Sequence, residues 1–291
     1  MANLKELRVR IKSVTSIAQI TRAMEMVASM KLRKVQAKAQ TFHPYTAEVQ
    51  GMVARLAGHV GDAELPLFVP REVKTVGVFL LTADRGLCGS YNSNLLALLR
   101  PLLAELKAQG KQVKFFCYGR KGYAWLTRRG YAVERFFVEP PLDKCNYDAA
   151  KITGQALVSA FTQGTVDEVR IVYSRFQSMI KFVPGCTQFL PITAIATGES
   201  AKQEYELDFL IEPDTTTVFN RLVPRYLETV IFDAMLQAMA SEHASRRMAM
   251  KSATDAAVRM NKQLKKVYNR ARQENITKEL LDIVGGASAV S

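Results

Sequence analysis

From residue 1 to residue 43 the chain contains neither proline nor glycine. Within that stretch Leu4, Leu7, Ile11 and Val14 recur at alternating three- and four-residue steps, the spacing of a seam between two packed helices. Ile17, Ile20, Met24 and Val27 continue the seam after a three-residue step, a stammer that overwinds the pair locally. The pattern runs on to about Leu56, with a kink expected at Pro44, which lacks a backbone donor, and stops at Gly58 and Gly61. A second long helical pattern opens at Pro213-Asp214-Thr215, where Asp214 or Thr215 serves as N-cap. It passes Pro224, where a second kink is expected, and an Ala- and Met-rich stretch over 234–257, and is expected to end at Gly285-Gly286. At 1.5 Å per residue the two helices span roughly 80 Å and roughly 105 Å, far more than an ordinary domain helix. If the middle folds compactly, one helix enters it and the other leaves it. They then pair antiparallel, and the C-terminal helix outreaches its partner by about 16 residues, or roughly 24 Å. That overhang carries Ile276, Leu280, Leu281, Ile283 and Val284 with no helix of this chain to cover them, so another protein surface should do so.

The middle alternates strand and helix. Strands are expected at 74–82, 112–118, 132–138, 168–176 and 179–192, and helices at 91–109, 119–129 and 146–163. Successive β-α-β units imply a mainly parallel sheet covered on both faces. A turn near Gln177-Ser178 joins the last two strands as an antiparallel hairpin. The expected organisation is an N-terminal helix over 1–58, an α/β domain over 70–212 and a C-terminal helix over 214–291. The fold class is thus α/β plus a long antiparallel coiled coil, with a Rossmann-like, mainly parallel-sheet domain inserted between the helices.

Charge is unevenly placed. Of the net +13, residues 1–58 carry +7 and residues 215–291 carry +5. Basic ends suit a solvated face, a nucleic acid, an anionic membrane or an acidic protein partner. A nucleic-acid adapter would need exposed aromatics among those cations, and both end segments are poor in them. No apolar run reaches the roughly 18 residues of a membrane span, and the charged N-terminus lacks the apolar core of a secretory signal and the composition of a transit peptide. Four scattered cysteines without a CxxC pair fit a reduced compartment.

The turn TADRGLCGSYN (82–92) sits between a strand and a helix, where many nucleotide sites lie. It has GxxG but neither GxxxxGK[ST] nor GxGxxG, and Asp84 puts a negative charge where a phosphate would sit. Asp84 is expected to pair with Arg85 or cap a turn, and Cys88 to be an ordinary turn residue rather than a reactive thiol. His43, His59 and His243 are widely separated in sequence, and no spacing suggests a triad. No catalytic residue, cofactor site or metal site is expected. Another reading, an α/β enzyme with helical arms, would require nucleotide binding at this turn. The methionines of the end helices suit helix packing or an adaptable contact surface.

Four stretches in order, ITRAMEMVASMKLRK (20–34), DRGLCGSYN (84–92), SEHASRRMAMKSATDAA (241–257) and YNRARQENITKELLDIVGGASAV (268–290), resemble the gamma subunit of F-type ATP synthases over essentially the whole chain. Ser90-Tyr91 departs from the usual glycine and apolar residue. The absence of a transit peptide and of a dithiol-bearing insertion makes the resemblance bacterial. It implies a non-catalytic central-stalk rotor that couples proton-driven c-ring rotation to ATP synthesis or hydrolysis in the hexamer of alpha and beta subunits. The expected location is peripheral, on the cytoplasmic face of the inner membrane. Arg272, Gln273 and Thr277 match the family's RQxxIT motif, and Met24 its MEMVA stretch; both imply beta-subunit contacts. Ile276, Leu280, Ile283 and Val284 become a bearing tip. Tyr205, Glu206 and Phe209, within EYELDFLIEP, become a foot that meets the c-ring and the epsilon subunit.

Overall fold

The computed structural model describes residues 4–57, 67–192, 212 and 214–290. Helix α1 runs Leu4–Ala57 and helix α5 runs Thr215–Val290; Pro44 and Pro224 lie inside them without ending either. Between them come β1 (Thr75–Leu81), α2 (Tyr91–Ala108), β2 (Gln112–Tyr118), α3 (Arg120–Thr127), β3 (Val133–Phe137), α4 (Tyr147–Thr162), β4 (Glu168–Phe176) and β5 (Phe182–Leu190). Strand order is β3-β2-β1-β4-β5; all pairs are parallel except β4-β5, which is antiparallel. The hairpin turn is longer than the sequence suggests, because Gln177, Ser178 and Lys181 bond one another and delay β5 to Phe182.

Compactness divides the chain into one unit of residues 1–29 with 246–291 and another of 30–245. Each long helix is therefore shared between the units, whereas the sequence boundaries near 58 and 214 mark where the helices end.

In the 30–245 unit the sheet is buried on both faces. One face, with Val76, Val78, Phe115 and Cys117, packs on Leu95, Leu99 and Leu106 of α2 and Leu126 of α3. The other, with Phe79, Leu81, Phe116 and Ile171, packs on α4, on Leu32–Val53 of α1 and on Phe219–Ala244 of α5. Near-continuous apolar strands are what a sheet covered on both faces requires. Gly119 follows β2 at φ 98, and a Cβ there would come within 2.0 Å of the Thr82 carbonyl oxygen. Only glycine permits that approach between the ends of β1 and β2.

In the 1–29/246–291 unit the two helices form an antiparallel coiled coil. Buried and half-buried positions on α1 are Leu4, Leu7, Ile11, Val14, Ala18, Thr21 and Ala28, with Met24 and Glu25 half-buried between the last two and Ser29 beside Ala28. That is an unbroken heptad, so the expected stammer is absent. Ile17, Ile20 and Val27 instead point to solvent. The facing residues of α5 are Met250, Thr254, Ala257, Asn261, Leu264, Tyr268 and Ala271. Small and hydroxylated side chains let the axes approach and supply hydrogen bonds across the seam, which an apolar count alone does not weigh. Gly285-Gly286 does not end α5 either. A glycine stops a helix by adopting a left-handed backbone, and here α5 runs on through both glycines to Val290.

Candidate partner-binding surfaces and the strand-end crevice

Three hydrogen bonds set the register of the coiled coil. The Thr21 and Thr254 hydroxyls lie 2.7 Å apart, Asn261 Nδ2 donates to Thr15 Oγ1 at 2.5 Å, and the Arg8 guanidinium donates to the Tyr268 hydroxyl at 3.1 Å. Carried to the start of α1, this pairing brings Leu4 level with about Arg272. Among the described residues no other helix of this unit extends alongside α5 beyond that level. Ile276, Leu280, Ile283 and Val284 are accordingly 45%, 58%, 68% and 61% exposed. The overhang expected from helix lengths alone is thus present.

Arg272 and Gln273 are exposed at the last paired turn, and Thr277 is exposed one turn beyond. The Thr277 hydroxyl donates to the Gln273 carbonyl at 2.9 Å, and the neighbouring Arg270 and Glu274 form an exposed ion pair at 2.9 Å. Arg272 and Gln273 therefore share a solvent-facing stretch with the start of the overhang. Met24 is at the edge of the seam, half-buried, between the two readings of packing and contact. The methionines divide in the same way: Met235, Met239 and Met250 are buried, while Met26, Met30, Met248 and Met260 are exposed. A shallow groove of about 410 Å³ along the coiled coil is lined by Thr15, Ala18, Arg22, Val258, Lys262 and Lys265, among others. The surface is apolar and cationic together, a composition suited to an acidic protein partner. Tyr205, Glu206 and Phe209 lie outside the described residues.

The turn after β1 is occupied by the chain itself. Ala83 N–H donates to Asn92 Oδ1 at 3.0 Å, and Tyr91 N–H to the Cys88 carbonyl at 3.2 Å. Asp84 caps rather than pairing with Arg85: its carboxylate accepts from the amides of Arg120, at the start of α3, and Leu142, each at 3.1 Å. An anion bound there would meet a carboxylate already seated on those donors. Cys88 is buried and bonded to Arg85 and Asn92, the environment of an ordinary turn residue. No group of His, Cys, Asp and Glu that could hold a metal occurs among the described residues. Burial pushes the Cys117 and Cys145 thiols up to about 12, which removes them as nucleophiles near neutral pH.

The side chains that sequence inspection did not single out are Gln237, Ser241 and Ser245 on α5. Phe176 N–H donates to Gln237 Oε1 at 3.0 Å, Ser241 Oγ to the Ser174 carbonyl at 3.0 Å, and Ser245 Oγ to the Cys88 carbonyl at 2.6 Å. Their signal in the sequence was polar residues four apart within an Ala- and Met-rich stretch. Lys31 of α1 adds an ion pair to Asp143 at 2.6 Å in the same unit.

A family model described as ATP synthase matches residues 3–290. The ATP synthase gamma chain of Syntrophobacter fumaroxidans is 40% identical over 292 residues, covering 100% of this chain and 99% of its own length. That of Heliobacterium modesticaldum is 40% identical over 295 residues, with 100% of both chains covered. Among solved structures, a chain of the Euglena gracilis mitochondrial ATP synthase superposes with a TM-score of 0.68 at 16% identity, covering 99% of this chain and 94% of that one. A chain of the Tetrahymena thermophila central stalk and c-ring gives 0.58 at 22% identity, covering 80% and 99%. At those identities the structures speak for the fold, and the full-length sequence relatives for the family. With the family model matched over residues 3–290 and relatives 40% identical over the full length, this chain belongs to the ATP synthase gamma-chain family.

Proposed function

We propose that this chain is the central-stalk rotor of a rotary ATP synthase, turning inside the hexamer of alpha and beta subunits and carrying no catalytic site of its own. Membership of the gamma-chain family supports the rotor role. The observation that carries the mechanical reading is the coiled coil with its fixed register and the exposed apolar side chains along the overhang. A two-helix element resists bending and twisting better than one helix. An asymmetric surface on it offers different contacts to each of three surrounding catalytic subunits. A rotor that met all three identically would favour none of their states, so the differences carry the coupling energy.

The finer assignments belong to the same proposal. Met24, Arg272, Gln273 and Thr277 contact beta-subunit loops, and the tip Ile276, Leu280, Ile283 and Val284 turns within an apolar sleeve at the top of the hexamer. Tyr205, Glu206 and Phe209 form the foot toward the c-ring and the epsilon subunit. The chain is then peripheral, on the cytoplasmic face of the inner membrane; no helix among the described residues is long and apolar enough to cross one. Non-catalysis is supported by Asp84, which takes the amides of Arg120 and Leu142 and fills the place of an anion.

Reconstitution tests the proposal. Purified chain mixed with alpha and beta subunits is expected to give a stoichiometric complex that hydrolyses ATP, while the chain alone hydrolyses none. ATPase activity of the pure chain that was lost on replacing Asp84 or Arg85 would overturn the non-catalytic assignment. Failure to enter the complex would overturn the rotor assignment.

A further inference from the structure

In open α/β sheets the crevice at the carboxyl ends of the strands, where strand order reverses, is the usual ligand site. In this sheet the reversal falls between β1 and β4. The crevice is filled by α5, whose Ser241 bonds the end of β4 and whose Ser245 bonds the turn after β1. Gln237, one helical turn earlier, takes the Phe176 amide at the last residue of β4. The three residues are four apart, so they lie along one line of the helix.

Their surroundings make this line unusual. Ala234, Met235, Ala238, Met239, Ala240 and Ala244 around them are buried and apolar. Contacts among small apolar side chains are non-directional: they hold a helix against a sheet but oppose sliding or turning about its own axis only weakly. A hydrogen bond to a fixed backbone group is directional, and it weakens steeply once the angle or distance departs from its optimum. Ser241 and Ser245 are themselves buried, so displacement of α5 would strand two hydroxyls and two carbonyls away from water. Alanine would have packed in either place without that constraint.

From this geometry we propose that Gln237, Ser241 and Ser245 are positioning residues that key α5 to the strand ends, so that torque on the α/β unit passes into α5 without slip. The proposal rests on the rotor reading. The crevice that other sheets use to hold a ligand here holds the chain's own drive helix. Three bonds at successive turns fix both its axial register and its rotation.

The test uses the assembled complex, with the hexamer immobilised and a bead attached through Ile180→Cys at the exposed hairpin tip, in a Cys186→Ser background. With the rotor paused, the angular variance of the bead reports the stiffness of the path from the α/β unit into the helices. The double variant Ser241→Ala/Ser245→Ala is expected to widen that variance while unloaded ATPase activity and complex yield stay at the parent level. Met239→Ala removes buried apolar volume from the same helix without touching a key. It is expected to lower the melting temperature and leave the variance unchanged. Equal variance in the double variant and the parent would overturn the proposal, as would a widening by Met239→Ala as large as that of the serine pair. A parent complex that assembles but never turns would instead sink the rotor reading on which the proposal stands.

Discussion

The hydroxyls of Thr21 and Thr254 meet at 2.7 Å across the seam of the coiled coil, in a heptad that apolar spacing alone misplaces by one residue. The register implies that cysteines at 21 and 254 should form a disulfide under mild oxidation. Cysteines at 20 and 254 should not, because Ile20 points to solvent. The check is gel mobility before and after reduction. Efficient crosslinking of the 20–254 pair alone would restore the stammered seam.

Exposed Arg272 should matter to coupling and not to folding. Arg272→Ala is expected to leave the unfolding free energy of the free chain within the noise of a surface change, about 0.5 kcal/mol. In the complex it should lower ATP-driven proton pumping, and Arg272→Lys should restore it only partly, because a lysine cannot make a bidentate carboxylate contact. Met24→Lys should reduce pumping more than hydrolysis, since a new cation at the edge of the seam would bind acidic groups of a passing subunit. Equal loss of both activities would mark destabilisation of the seam instead.

The overhang separates anchoring from drive. Each apolar side chain fully covered by a partner is worth about 1.5–3 kcal/mol, so removing residues 276–291 should weaken assembly and slow turnover. Removing only 285–291 takes away no large apolar side chain except Val290 and should be nearly silent. Complex yield, ATPase rate and pumping are the quantities to compare. Abolition of rotation by the shorter deletion would make the tip a drive element and end the bearing interpretation.

Much of this architecture was legible in the sequence because its signals are local and repeated. Every strand from β1 to β5 and every helix from α2 to α4 was visible as a run of apolar residues between turn formers, and the overhang followed from helix length. The seam between Ile17 and Val27 was not. Ala18, Thr21 and Ala28 face the partner precisely because they are small or can hydrogen-bond, and an apolar pattern gives such residues no weight. The end of α5 was missed for a related reason: whether Gly285-Gly286 stops a helix depends on backbone conformation, which composition does not determine. Ser241 and Ser245 were invisible because their role depends on the Ser174 and Cys88 carbonyls, distant in sequence and joined to them only by the fold. The beta-subunit contact residues were legible only through motif resemblance, since exposure alone does not distinguish Arg272 from its solvated neighbours.

Asp143 gives the α/β unit a defined acid response. Burial alone would raise its carboxyl, but the bond and charge of Lys31 outweigh it, and the group ends below its ordinary value. A depressed carboxyl favours the folded state above its unfolded value and loses that contribution as pH falls through its folded value. Asp143→Asn is therefore expected to cost about 1 kcal/mol near pH 7, a modest figure because the pair is partly exposed. The difference from the parent should shrink below about pH 4. Urea melts of both proteins at several pH values would show it, and a gap that widened on acidification would contradict the assignment.

Rotation itself is the most direct test of the rotor account. A bead fixed to Ile180→Cys, on a complex held to a surface by its alpha and beta subunits, is expected to turn continuously in one direction when ATP is added and to stop when ATP is withdrawn. A stoichiometric complex that hydrolyses ATP at full rate while the bead stays fixed would show that this chain is a static support, and would contradict the account.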